Sequence, residues 1–132
     1  MRTAGLVSLR DRKLLLAFSQ NKRAFYLPGE KIDTGETSRS ALRREILEEL
    51  NIRINPEELR FYTHITAQAF GEENGIMMEQ DCFWQDLKEE PRPGSEVLCL
   101  QYFDTETYGL EAEQVPGVLL LMQQLKRENL ID

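Results

Sequence analysis

Histidine occurs once in this chain, at His64, and cysteine twice, at Cys82 and Cys99. No Cys/His spacing suited to zinc can be built from them, so zinc chemistry is not expected. Both cysteines fall in apolar, strand-like stretches and read as buried, reduced thiols. No apolar run approaches the roughly 20 residues that span a bilayer. The opening MRTAGLVSLRDRK lacks a long apolar core and a small-residue cleavage site, so no signal peptide is expected. A cytoplasmic location follows, with no membrane partner. Basic residues are scarce: 16 against 23 acidic ones, for a formal net charge of -7. That argues against a nucleic-acid polymer as partner, which calls for a basic face. A small anionic ligand remains compatible, because a bound divalent cation inverts the local charge.

A chain of 132 residues with 41% hydrophobic and 30% charged residues reads as one globular domain, residues 1–132. Thr3–Leu9 reads as a strand and Lys13–Ser19 as its hairpin partner across the polar turn Arg10-Asp11-Arg12. A short strand, Phe25-Tyr26-Leu27, ends at Pro28-Gly29. Thr37 or Ser38 caps a helix whose apolar stripe is Ala41, Leu42, Ile46 and Leu50, and Asn51 suits a left-handed stop. Strands are expected over Leu59–Ala69, Ile76–Leu87 and Val97–Phe103, with loops at Phe70–Gly75 and Glu89–Ser95. Pro116 opens a last helix over Gly117–Asn129, with Val118, Leu121, Met122 and Leu125 on one face. A mixed central sheet with one helix in mid-chain and one at the C-terminus predicts an α/β (α+β) fold, an α/β/α sandwich. The Val118–Met122 run is apolar nearly all round; the monomer core is its expected place, and a homodimer is compatible with it.

The mid-chain helix carries Glu45, Glu48 and Glu49 at i, i+3 and i+4, three carboxylates on one face. Like charges so placed repel and destabilise a helix. A Gly-punctuated loop precedes them, Leu27-Pro28-Gly29 following a strand and Gly35-Glu36 making a second turn. Arg44 can hold Glu36 or Glu48 by a bidentate ion pair. Hard carboxylate oxygens beside a backbone carbonyl suit Mg²⁺ or Mn²⁺.

This stretch resembles the Nudix box. Glu36 takes its first Glu, Thr37–Arg43 its spacer, Arg44-Glu45 its Arg-Glu pair, Ile46 its apolar place, Glu48-Glu49 its Glu pair, and Ile52 its last apolar place. Glu30 and Asn51 stand where the pattern has glycine. The resemblance implies a Nudix-like sandwich holding the box helix. It implies Mg²⁺-dependent hydrolysis of a pyrophosphate bond in a nucleoside diphosphate-linked substrate, such as a nucleoside triphosphate or ADP-ribose, by metal-activated water. Glu45, Glu48, Glu49 and the Gly29 carbonyl are the implied metal ligands. Arg44 and Glu36 support them. Glu49, Glu96 and Glu79 are the candidates for general base. A non-catalytic nucleotide-binding module or regulator is the alternative, with Glu30 as its support. A chance acidic helix on an unrelated domain is a third reading.

Lys22, Arg23 and Lys31 are candidates for phosphate contact. Phe70, beside the Gly-rich loop, is the preferred base-stacking residue. Phe25, Tyr26, Tyr62 and Trp84 read as core, as do Met77, Met78 and Met122. His64 reads as a hydrogen-bonded structural residue.

Overall fold

The computed structural model describes the backbone of residues 1–132 and every side chain except that of Glu30. The expectation attached to the Glu30 side chain therefore lies outside the described residues. The strands are β1 (Arg2–Val7), β2 (Leu9–Arg10), β3 (Lys13–Ser19), β4 (Phe25–Tyr26), β5 (Gly29–Lys31), β6 (Arg60–Gln68), β7 (Met77–Trp84) and β8 (Val97–Phe103). The helices are α1 (Ser38–Leu50), α2 (Thr105–Tyr108) and α3 (Pro116–Arg127).

Two four-stranded sheets result. The first runs β5-β1-β7-β6, with β1 and β7 parallel and the other pairs antiparallel. The second is antiparallel, with β2, β4 and β8 all paired to β3. The expected hairpin between the first two runs is corrected here. β1 ends at Val7 and stays in the first sheet, and only Leu9–Arg10 pairs with β3. The chain changes sheets at Ser8, which a run of apolar residues does not reveal.

Alternation along the strands distributes the core to two faces. Ala4, Leu6, Leu15 and Phe83 pack with Leu42, Ile46 and Leu50 of α1. Val7, Leu14, Leu16, Phe25 and Phe103 pack with Val118, Leu121, Met122 and Leu125 of α3. Each such fully buried aliphatic side chain contributes roughly 1.5–3 kcal/mol, which holds a helix on either side. The expected α/β/α sandwich is what forms.

Thr37 caps α1 in a reciprocal box with Ser40, and Asn51 ends it in the left-handed region at φ 58°. Two further elements escaped the sequence. β5 follows directly on Pro28, and α2 starts at Asp104, whose carboxylate accepts the Thr107 amide at 2.8 Å. The Asp104-x-x-Thr107 spacing was the available signal for α2. The α2 residue Tyr108 is buried, donating to the Phe25 carbonyl at 3.1 Å and accepting the Val115 amide at 2.9 Å.

Both cysteines are free thiols. Cys82 is buried, which pushes its thiol up to about 12. Cys99 is exposed, contrary to expectation, because β8 is an edge strand paired only to β3 and its middle lies uncovered. Met77 is likewise exposed at the start of β7, whereas Met78 and Met122 are core. Leu120 is the exposed member of the Val118–Met122 run. Among the described residues, no helix is long and apolar enough to cross a membrane.

Candidate active site

Gly29 sits at φ +132°, and a Cβ there would lie 2.0 Å from the Ala4 carbonyl oxygen. Only glycine lets β5 approach β1 this closely. The same residue donates its amide to Glu49 Oε1 at 2.8 Å, which ties β5 to α1. Four residues before Glu48, Arg44 turns back toward the loop. Its Nε donates to Glu36 Oε2 at 3.0 Å and its Nη2 to Glu36 Oε1 at 2.9 Å, a bidentate pair. Its Nη1 donates to Glu45, and its Nη2 lies 3.3 Å from Asp33. Arg44 thus chooses Glu36 over Glu48 and adds Glu45. The Arg44 hydrogen bonds, followed by the Asp33 amide, hold the Glu36 carboxyl below the usual range. The surrounding carboxylates hold the guanidinium proton more firmly than usual.

At the other end of α1, the segment 92–95 docks on the helix. The amides of Arg92, Gly94 and Ser95 donate to the carbonyls of Leu50, Glu49 and Glu48 at 3.0, 2.9 and 3.0 Å. These are the carbonyls that a helix end leaves unpaired. Gly94 is required by contact: a Cβ there would lie 1.8 Å from the Glu48 carbonyl oxygen. Asn51 joins in through its side chain, donating to the Arg92 and Pro93 carbonyls at 2.9 and 3.4 Å. Asparagine at a glycine place therefore keeps the left-handed stop and adds two ties to the loop.

These attachments gather one cleft of about 260 Å³ between the two sheets. Glu45, Glu48 and Glu49 of α1 line it together with Gly29 and Lys31 of β5. Glu96, the residue after the docked segment, joins them at φ 62°. Thr3, Met78 and Gln80 line it from the first sheet, and Ala17, Ser19, Tyr26 and Val97 from the second. Phe70 and Glu72 close a side. Tyr26 holds that loop by donating to the Phe70 carbonyl at 3.1 Å, with the two rings edge to face at 6.0 Å. Lys22 also holds it, its Nζ 3.3 Å from the Gly71 carbonyl and 3.4 Å from Glu72.

Two candidates lie elsewhere. Glu79 projects from the opposite face of β7 to Met78 and Gln80, 3.5 Å from His64. Arg23 sits at φ 56°, outside the cleft lining, with its guanidinium over the Phe18 ring at 5.2 Å. His64 is hydrogen-bonded to Asp81 at 2.8 Å, as expected of a structural histidine. Sequence reasoning missed Thr3 and Gln80 altogether. Among the described residues, Thr3 Oγ1 is buried without a hydrogen-bond partner, which costs roughly 1–3 kcal/mol.

The donor set fits a hard divalent cation. Three carboxylates and a glycine-containing strand end share one wall. Among the described residues, no three His, Cys, Asp or Glu side chains are grouped so that together they could hold a metal ion. Mg²⁺ does not need such a group, since it keeps several waters and is held by one or two carboxylates plus substrate phosphates.

The NUDIX domain family model matches residues 1–124. No curated protein matches the chain. The chain superposes on the MutT protein from Methanosarcina mazei Go1 with a TM-score of 0.75 at 17% identity, covering 98% of this chain and 94% of that one. For the MutT NUDIX hydrolase from Burkholderia pseudomallei the TM-score is 0.71 at 20% identity, with 93% and 95% covered. For the NUDIX domain of Shewanella oneidensis NrtR, solved with ADP ribose, it is 0.71 at 15%, with 98% and 88% covered. At such identities the likeness speaks for the fold.

Proposed function

The chain belongs to the Nudix family, and from that premise we propose that its cleft hydrolyses a pyrophosphate bond in a nucleoside diphosphate-linked substrate. One arrangement supports this most: Glu45, Glu48 and Glu49 line the same cleft as Gly29 and Lys31. Those three carboxylates, with the Gly29 carbonyl, would hold Mg²⁺ or Mn²⁺. When bound, the cation neutralises charge on the phosphate oxygens and lowers the pKa of a water. Lys31 offers its ammonium to the diphosphate. Arg44, braced by Glu36, orients Glu45 and so acts as a positioning residue. Glu49 and Glu96 both reach the cleft as proton acceptors, whereas Glu79 does not. Phe70 and Tyr26 offer ring surface to a base. The ADP ribose held by the NrtR domain supports a ligand of this class. The net charge of -7 supports a small molecule over a nucleic-acid polymer as substrate.

The test is hydrolysis of a panel of nucleoside triphosphates, ADP-ribose, nucleotide sugars and dinucleoside polyphosphates with Mg²⁺ or Mn²⁺, read as release of phosphate or pyrophosphate from the triphosphates and of mononucleotide from the others. Glu48→Gln and Glu49→Gln should each abolish release while leaving the circular dichroism spectrum unchanged. Equal activity in the wild type and both variants would overturn the assignment. Nucleotide binding with no turnover in the wild type would favour the non-catalytic alternative.

A further inference from the structure

Thr3 and Gln80 face each other across the parallel β1–β7 ladder, and both line the cleft. Thr3 is 5% exposed and its hydroxyl has no partner among the described residues. Gln80 is 9% exposed, and its Oε1 is approached by a weak donor, the Cys82 thiol at 3.9 Å. Ala17, Leu27, Met78 and Val115 line the same cleft and add apolar surface to it. A hydroxyl and a carboxamide both donate and accept. Two such groups, with apolar side chains on the same cleft, suit a flat ring with adjacent donors and acceptors on one edge.

The strand register supplies a ruler. Lys31 pairs with Thr3, and Thr3 with Gln80, so the three form one row across β5, β1 and β7. Two strand spacings make roughly 10 Å from the Lys31 position to the Gln80 position. That is about the length of one nucleoside from its 5′ phosphate to the far edge of its base. A nucleotide whose phosphates meet Lys31 therefore places its base edge over Thr3 and Gln80.

We propose that Thr3 and Gln80 are the base-reading pair of this cleft, which makes the substrate a nucleotide selected by its nucleobase. The inference rests on the hydrolase reading of the same cleft, but its test does not require turnover. Binding of AMP, GMP, CMP and UMP is measured by calorimetry for the wild type, Thr3→Val and Gln80→Leu, with Glu48→Gln as control. The wild type should prefer one base by about tenfold or more, the scale of one good amide-to-base contact. Thr3→Val and Gln80→Leu should each narrow that spread to about threefold or less, whereas Glu48→Gln should keep it. Thr3→Val is nearly isosteric and removes a hydroxyl that has no partner, so its melting temperature should not fall. An unchanged spread in both variants, equal binding of all four nucleotides by the wild type, or binding of none would overturn the proposal. Turnover that depends on Glu48 and ignores the base would overturn this pair and leave the hydrolase reading standing.

Discussion

Arg44 and Glu36 meet by two parallel hydrogen bonds, 3.0 and 2.9 Å long, across eight residues of sequence. The pair fastens the turn before α1 to the middle of the helix. The free guanidinium nitrogen then reaches Glu45, a buried carboxylate of the cleft wall. Lysine carries the charge but not the fork. Arg44→Lys and Arg44→Ala should therefore both lower kcat/KM by roughly 10–100-fold, the usual range for residues that orient ligands. Steady-state kinetics checks this; a lysine variant with wild-type kcat/KM would show that charge alone suffices. Stability carries the same signature. The folded Glu36 pKa lies below its ordinary 4.5, so the contribution is present above that pH and is lost as pH falls through the folded value. Glu36→Gln should flatten the acid limb of a plot of melting temperature against pH.

Gly29 combines a close backbone contact with a positive φ. Alanine there would need φ near +132° and a Cβ 2.0 Å from the Ala4 oxygen. Strain plus contact should cost about 3 kcal/mol or more. Urea denaturation of Gly29→Ala measures it. A loss under about 1 kcal/mol would mean that β5 can shift away from β1, and that Glu49 is less firmly held than its 2.8 Å bond implies.

The limits of α1 were legible because caps are local: Thr37 and Asn51 announce themselves by residue type and spacing. The carboxylates of the box were legible for the same reason, since one helix carries them all. Partners across sheets were not. Apolar runs identify β1 and β3 as strands, but nothing in them says that Ser8 separates two sheets. Strand parity hid the rest. Glu79 and Gln80 are neighbours in sequence and face opposite sides of β7, and only the register with β1 decides which one reaches the cleft. Thr3 could not be singled out, because an unpartnered hydroxyl becomes visible only when its surroundings are known.

Asn51 does two jobs that substitution can separate. Its backbone occupies the left-handed region at φ 58°, and its side chain holds the Arg92 and Pro93 carbonyls. Asn51→Gly keeps the first job and loses the second; Asn51→Ala loses both. Expected destabilisation is about 1 kcal/mol for glycine and about 2 kcal/mol for alanine, read from chemical denaturation. Both should also lower kcat if the docked segment positions Glu96, and equal kcat in all three proteins would remove Glu96 from the mechanism.

His64, on β6 and outside the cleft lining, offers the opposite pH signature from Glu36. Its Nδ1 lies 2.8 Å from Asp81 and its Nε2 3.5 Å from Glu79. The hydrogen bond to Asp81 raises its pKa above the ordinary 6.5. A raised folded value means stability fully present below pH 6.5 and lost as pH rises through the folded pKa. The side chain is 43% exposed, so solvent limits the gain to the scale of a surface pair, about 0.2–1 kcal/mol. His64→Gln should therefore melt below the wild type at acidic pH, and the gap should close on the alkaline side of the folded pKa. Its kcat/KM should match the wild type throughout. A gap that stays constant with pH would mean that packing, not the proton shared with Asp81, is what His64 contributes.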